Sequence, residues 1–308
     1  RIYRVTYPGR DLLEPPKMKG KPIPAVCEFL FARENSTRYR ARLELTGRDS
    51  QEVIAAVRAF AARLDPRQDA LDRDEAQALL ECLWIFAEQR SPDMDLVKKV
   101  FQAKEPRVRA AAIRTLGQWG QQVDDWEETL LAAASDSSAL VRAEAVKAAV
   151  SFSGRMAAEI VFEVASRPLD PELKTVITYA DTRLNVPAVI HALVRSDKPL
   201  SSAAHNYILA HAPVDDLLRL KPTERVFRAI LARHEATPKQ LDDALSELAT
   251  MKRAQKNEIL IDLIEQSSKK MGSNLARLGN LLIQKPSASL QKSVNRSRSL
   301  AEHGDSAA

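Results

Sequence analysis

Apolar residues recur at helical spacing along most of this chain. Over residues 50–64, Val53, Ile54, Val57, Phe60 and Ala61 share one face, the i, i+3, i+4 pattern of an amphipathic helix. Over residues 74–88, Ala76, Leu79, Leu80, Leu83, Trp84 and Phe86 do the same. Upstream, Pro24 opens a helix carrying Val26, Phe29 and Leu30. A turn at residues 34–37, rich in N-cap residue types, precedes a helix with Tyr39, Ala41, Leu43 and Leu45. Further helical patterns cover residues 156–164, 172–183, 186–194, 201–210, 226–231, 259–264 and 275–283. Thr237, Pro238 and Gln240 form a strong start signal, with N-cap, N1 and N3 residues in order, ahead of Leu241, Ala244, Leu245 and Leu248.

Two stretches depart from this period. Residues 1–7 hold Ile2, Tyr3, Val5, Thr6 and Tyr7, then Pro8 and Gly9, and read as one β-strand with a stop. The chain is therefore expected to begin mid-strand, as an excised piece would. Residues 8–24 carry Pro8, Pro15, Pro16, Pro22 and Pro24 with Lys17, Lys19 and Lys21, an extended linker.

The most regular stretch lies in between. A helix at residues 96–101 is followed by a turn at Glu105 and Pro106, then a second helix with Val108, Arg109, Ala112 and Ile113. A helix at residues 126–134, a turn at Asp136 and a helix with Val141, Arg142, Ala145 and Val146 repeat it at an offset of 33. Arg38 to Leu43 sit roughly two periods earlier. Helical hairpins recurring at about 33–35 residues mark an α-solenoid. The sequence from Glu105 through Val108, Arg109, Ala112 and Leu116 resembles a HEAT repeat, and the copy around Asp136 lacks its proline. The predicted fold class is all-α, a HEAT-like superhelix of helical hairpins with one short N-terminal strand. Val108 and Val141 are expected to fill the core between repeats, and Ala112 and Ala145 to let helices approach. Arg109 and Arg142 are expected to serve the architecture, Arg109 by pairing with Asp136. The expected boundaries are a strand and linker over 1–24, regular repeats over 25–153, degenerate helical repeats over 154–285 and a basic, Ser-rich flexible tail over 286–308.

Composition narrows the chemistry. The chain has 308 residues, 45% apolar and only 5% aromatic, with 9 glycines. That excludes a largely disordered chain and argues against Gly-rich nucleotide loops. No G-x-G-x-x-G or Walker sequence occurs. The net charge of +5 comes from the end of the chain: ten Lys/Arg against five Asp/Glu from residue 252 onward, and 36 of each before it. Lys252, Arg253, Lys256, Lys269 and Lys270 are the candidate basic surface. Glu258, Asp262 and Glu265 interrupt it, and no aromatics interleave, so solvated helix faces are favoured over nucleic-acid binding. The five histidines, His191, His205, His211, His234 and His303, form no i, i+3 or i, i+4 pair. Acidic pairs such as Asp124 with Asp125 and Asp215 with Asp216 fit helix starts. No catalytic, cofactor-binding or metal-ligating residue is assigned. Cys27 and Cys82 are 55 residues apart. Two small buried side chains is the favoured reading, and a disulfide stays open. No run approaches 18 apolar residues, so no transmembrane segment is predicted.

A larger resemblance covers nearly the whole chain. Residues 1–7, the linker ending at Pro22, Ile23 and Pro24, residues 37–42, residues 132–152 and residues 215–220 are together similar to a planctomycete-type multidomain family. Its members are membrane-associated dehydrogenase-like proteins. They join a sorbosone- or glucose-dehydrogenase-like β-propeller, a HEAT-rich helical segment and a PVC-type haem-binding cytochrome c domain. The resemblance implies that this chain is a non-catalytic scaffold or spacer of an exported, periplasmic or membrane-associated parent. Its partners would be the flanking propeller and cytochrome domains, or another protein. Haem c and electron transfer are implied for the parent only, because no Cys-x-x-Cys-His occurs here. The alternative function is a nucleic-acid- or protein-binding HEAT module using the basic C-terminal region.

Overall fold

The computed structural model describes residue 9 and residues 14–68 and 74–267. The strand expected over residues 1–7, the helix over 275–283, the tail over 286–308, and Lys269 and Lys270 lie outside the described residues. Among the described residues all regular structure is helical. They fall into two compact units, divided between Val186 and Pro187.

The first unit is an α-solenoid. Its helices are α1 (Ile23–Cys27), α2 (Asn35–Thr46), α3 (Ser50–Ala62), α4 (Glu75–Glu88), α5 (Met94–Val100), α6 (Pro106–Trp119), α7 (Glu127–Ala134), α8 (Ala139–Ala149), α9 (Arg155–Ala165) and α10 (Pro171–Arg183). Antiparallel neighbours form hairpins: α3 with α4, α5 with α6, α7 with α8 and α9 with α10. The second helices, α2, α4, α6, α8 and α10, pack side by side as one layer. The first segment is split rather than continuous: α1 gives way to a 3-10 turn, Glu28–Phe31.

Local chemistry fixes the helix starts. The carboxylates of Asp49, Asp74, Asp93 and Asp170 each accept a backbone N–H from the third residue on, which satisfies an otherwise orphaned donor. Pro106 and Pro171 stand in first turns, where no hydrogen bond is lost. The expected N-cap cluster at residues 34–37 behaves differently. Glu34 holds the N-cap position and makes no side-chain cap bond.

Position in the stack sets burial. Helix α4 has neighbours α2, α3, α5 and α6. Leu79, Leu83, Ile85 and Phe86 are accordingly fully buried. Helix α8 is enclosed by α6, α7, α9 and α10. Small Ala145, Ala148 and Ala149 let those neighbours close in around Val141 and Val146. Each large apolar side chain removed from water contributes about 1.5–3 kcal/mol. Val108 and Ala112 are also buried.

The second unit contains most of α11 (Val186–Leu193), then α12 (Ser202–His211), α13 (Val214–Leu217), α14 (Glu224–Leu231), α15 (Pro238–Lys252) and α16 (Lys256–Ser267). Helix α14 packs on α12, α13 and α15, and α15 on α16. The capping box at the start of α15 is complete: Gln240 N donates to the Thr237 hydroxyl, and Thr237 N donates to Gln240 Oε1. Helices α9 and α10, which lie beyond the expected end of the regular repeats at residue 153, pack on α8 within the first unit.

Candidate functional site

Three arginines make the same bonds in three hairpins. Arg109 sits in the first turn of α6 because Pro106 and the Glu105 cap fix the start of that helix. Its Nη1 donates to the carbonyls of Ala103 and Lys104, at 2.9 and 2.7 Å. Its Nε and Nη2 donate to both oxygens of Asp136, at 2.8 and 2.9 Å. Arg142 Nη1 donates to the carbonyls of Asp136 and Ser137. Arg38 Nη1 donates to those of Ala32 and Arg33. Each arginine therefore ties down the turn six and five residues behind it. Each also reaches forward: Arg38 to Glu81, Arg109 to Asp136 and Arg142 to the Pro168 carbonyl.

Only Arg109 makes a bidentate ion pair in this set, and it is secluded, with 14% of the arginine and 9% of the aspartate side chain exposed. Burial opposes ionisation of Asp136. The hydrogen bonds from Arg109 and from the Ser138 amide outweigh it and hold the carboxyl below its ordinary value. The forward partner of Arg142 is a carbonyl instead, which residue types cannot reveal.

Two buried carboxylates lie in the layer of second helices. Glu81 on α4 accepts from Arg38 Nε at 2.9 Å and Gln77 Nε2 at 2.8 Å, with Arg42 Nε at 3.1 Å. The Arg42 guanidinium lies 4.9 Å from the Trp84 ring and 5.8 Å from that of Tyr39. Tyr39 and Leu43, one turn apart on α2, are exposed. Glu144 on α8 is the second. Arg114 grips both its oxygens, at 3.1 and 3.0 Å, and Lys147 Nζ donates at 2.9 Å. Burial raises the cost of its charge, but Arg114 and then Lys147 prevail and lower its pKa. Sequence reasoning missed both glutamates. Their burial follows from neighbours on other helices, and the one signal was an acidic residue interrupting a largely apolar or Ala-rich run.

The expected basic surface is largely neutralised where it is described. Lys252 pairs with Glu224 and Lys256 with Asp242, each at 2.9 Å. Arg253 ends α15 in the left-handed conformation. Among the histidines, His191 Nδ1 lies 2.8 Å from buried Asp216 Oδ1. Burial and then the nearby Arg225 charge lower the pKa of His205.

Cys27 and Cys82 are both buried free thiols, not a disulfide. A c-type haem needs two cysteines and a histidine in one Cys-x-x-Cys-His run. These separated, buried thiols do not fit that group. Among the described residues, no three His, Cys, Asp or Glu gather as a metal site, and no helix is long and apolar enough to cross a membrane.

No curated protein matches the chain. The family model for HEAT repeats matches residues 94–180, the stretch from α5 into α10 that contains Arg109, Asp136 and Arg142. This helical solenoid thus carries a HEAT-repeat segment at residues 94–180.

Proposed function

We propose that this chain is a non-catalytic scaffold, a HEAT-type solenoid that spaces and docks domains of a larger protein. The observation that carries the reading is the recurrent arginine at Arg38, Arg109 and Arg142. Each of the three binds the turn behind it and reaches forward to the next hairpin. Arg109 and Arg142 act as fasteners, and Val108, Ala112, Val141 and Ala145 as the packing between them. A stiff stack of this kind serves to hold surfaces apart and to present them.

The parent, on this proposal, joins a dehydrogenase-like propeller to a c-type haem domain and is exported, periplasmic or membrane-associated. The similarity at residues 1–7, 22–24, 37–42, 132–152 and 215–220 supports it. Haem and electron transfer belong to the parent's other domain, because this chain lacks the attaching cysteines. The nucleic-acid alternative is weakened by the pairing of Lys252 and Lys256 with acids of their own unit.

Reading the full open reading frame tests the assignment. Propeller blades upstream and a Cys-x-x-Cys-His downstream are expected. A frame with neither overturns the multidomain reading.

A further inference from the structure

Helices α6 and α8 touch almost backbone to backbone. A Cβ on Gly117 would stand 2.8 Å from Ala148 Cα. No side chain fills the surface above that contact, and a pocket of about 540 Å³ opens there. Its lining is Arg114, Gly117, Gln118, Glu144, Lys147, Ala148 and Ser151. Glu144 is 3% exposed, while Arg114 and Lys147 are 57% and 50% exposed. Two cations thus share one carboxylate, and the group keeps a net positive charge at its outer edge.

Donors remain available for a ligand. Arg114 uses Nε and Nη2 on Glu144, which leaves Nη1. Lys147 gives Glu144 a single hydrogen bond, and an ammonium has three donors. Gln118 and Ser151 are exposed beside them. Glu144 itself shows that these cations accept a carboxylate.

We propose that this pocket binds an acidic side chain of a protein partner. The inference rests on the docking role proposed above and names the partner's chemistry. One excess positive charge matches one carboxylate. A single-stranded nucleic acid would want aromatic platforms as well, and no aromatic residue lines the pocket.

The test is fluorescence anisotropy of labelled hexaglutamate with the whole chain in low-salt buffer. Lys147→Gln keeps the Arg114–Glu144 pair and should weaken binding about tenfold. Ser151→Asp places a carboxylate at the exposed rim and should weaken it at least as much, with an unchanged melting temperature. Arg107→Gln, the same charge change on exposed α6 surface, should leave affinity within about twofold. Added NaCl should weaken the wild type. Equal losses from Arg107→Gln and Lys147→Gln would mean diffuse attraction and overturn the site. So would unchanged binding in both pocket variants, or no binding at all. A thymidine hexanucleotide that binds as tightly, with the same sensitivity to Lys147→Gln, would overturn the choice of a carboxylate. None of these results bears on the reading frame, so the two proposals fail separately.

Discussion

Gly117 of α6 meets Ala148 of α8 at a distance that admits no added atom: a Cβ on Gly117 would lie 2.8 Å from Ala148 Cα and 2.9 Å from its Cβ. Helix propensity alone favours Gly117→Ala by about 1 kcal/mol. The contact opposes it, because the atom struck is backbone and cannot swing aside. Overpacking of this kind costs about 1–3 kcal/mol, so the clash should win. Gly117→Ala is expected to lower the denaturation midpoint. Gly47→Ala is the control, since its Cβ would meet only carbonyl oxygens at 3.6 Å or beyond. A Gly117→Ala protein more stable than wild type would refute this packing.

Arg109 and Arg107 stand two residues apart on α6 and should respond differently to truncation. Arg107 is exposed. Arg109 holds two carbonyls and both oxygens of Asp136. Arg109→Ala leaves that secluded carboxylate without its cation, and should lose about 1–3 kcal/mol. Arg107→Ala should change stability by less than about 0.5 kcal/mol. Thermal melts of the two variants check this, and equal melting temperatures would sink it.

The same pair predicts a response to acid. Unfolded, Asp136 titrates near the ordinary value of about 3.9. Folded, its value is lower, since Arg109 and Ser138 outweigh the opposing effect of burial. Its contribution to stability is therefore complete above the unfolded value. It shrinks as pH falls below that value and is lost once pH passes the folded one. Asp136→Asn cannot titrate there. The stability gap between wild type and Asp136→Asn should narrow as pH drops below about 4. A gap that holds constant into acid would show that the carboxylate charge does not matter.

What the sequence discloses is local, and what it hides is tertiary. Thr237, Pro238 and Gln240 announce their capping box because every partner lies within three residues. The Val108–Arg109 and Val141–Arg142 repeat is legible because 33 residues return the chain to an equivalent place. The Gly117–Ala148 contact has no such signature, since a glycine late in a helix also reads as a terminator. Glu81 and Glu144 look like solvated residues until α2 and α6 bring Arg38, Arg42 and Arg114 over them. The division after Val186 escapes for the same reason: it depends on α9 and α10 packing back onto α8.

The two thiols should be inert in the folded protein. Burial, reinforced by Glu28, pushes the Cys27 thiol up to about 11. Burial raises Cys82 as well. The thiolate is the reactive form, so both solvent access and ionisation are denied. Ellman's reagent at neutral pH should label neither cysteine in native buffer and both in denaturant. Prompt native labelling of one thiol would show that the packing around α1 and α4 opens readily.

His191 and Asp216 offer a test inside the second unit. Asp216 is buried at the start of the short helix α13, and His191 of α11 places Nδ1 2.8 Å from Oδ1. His191→Ala would leave that carboxylate without this partner, at a cost of about 1–3 kcal/mol. Asp216→Asn removes the charge instead, so the loss of His191 should then matter less. The double variant should therefore be more stable than the sum of the single losses predicts, by about 0.5–3 kcal/mol. Urea denaturation of the wild type, both single variants and the double variant closes the cycle. Strictly additive losses would mean that the two side chains stand close without depending on each other.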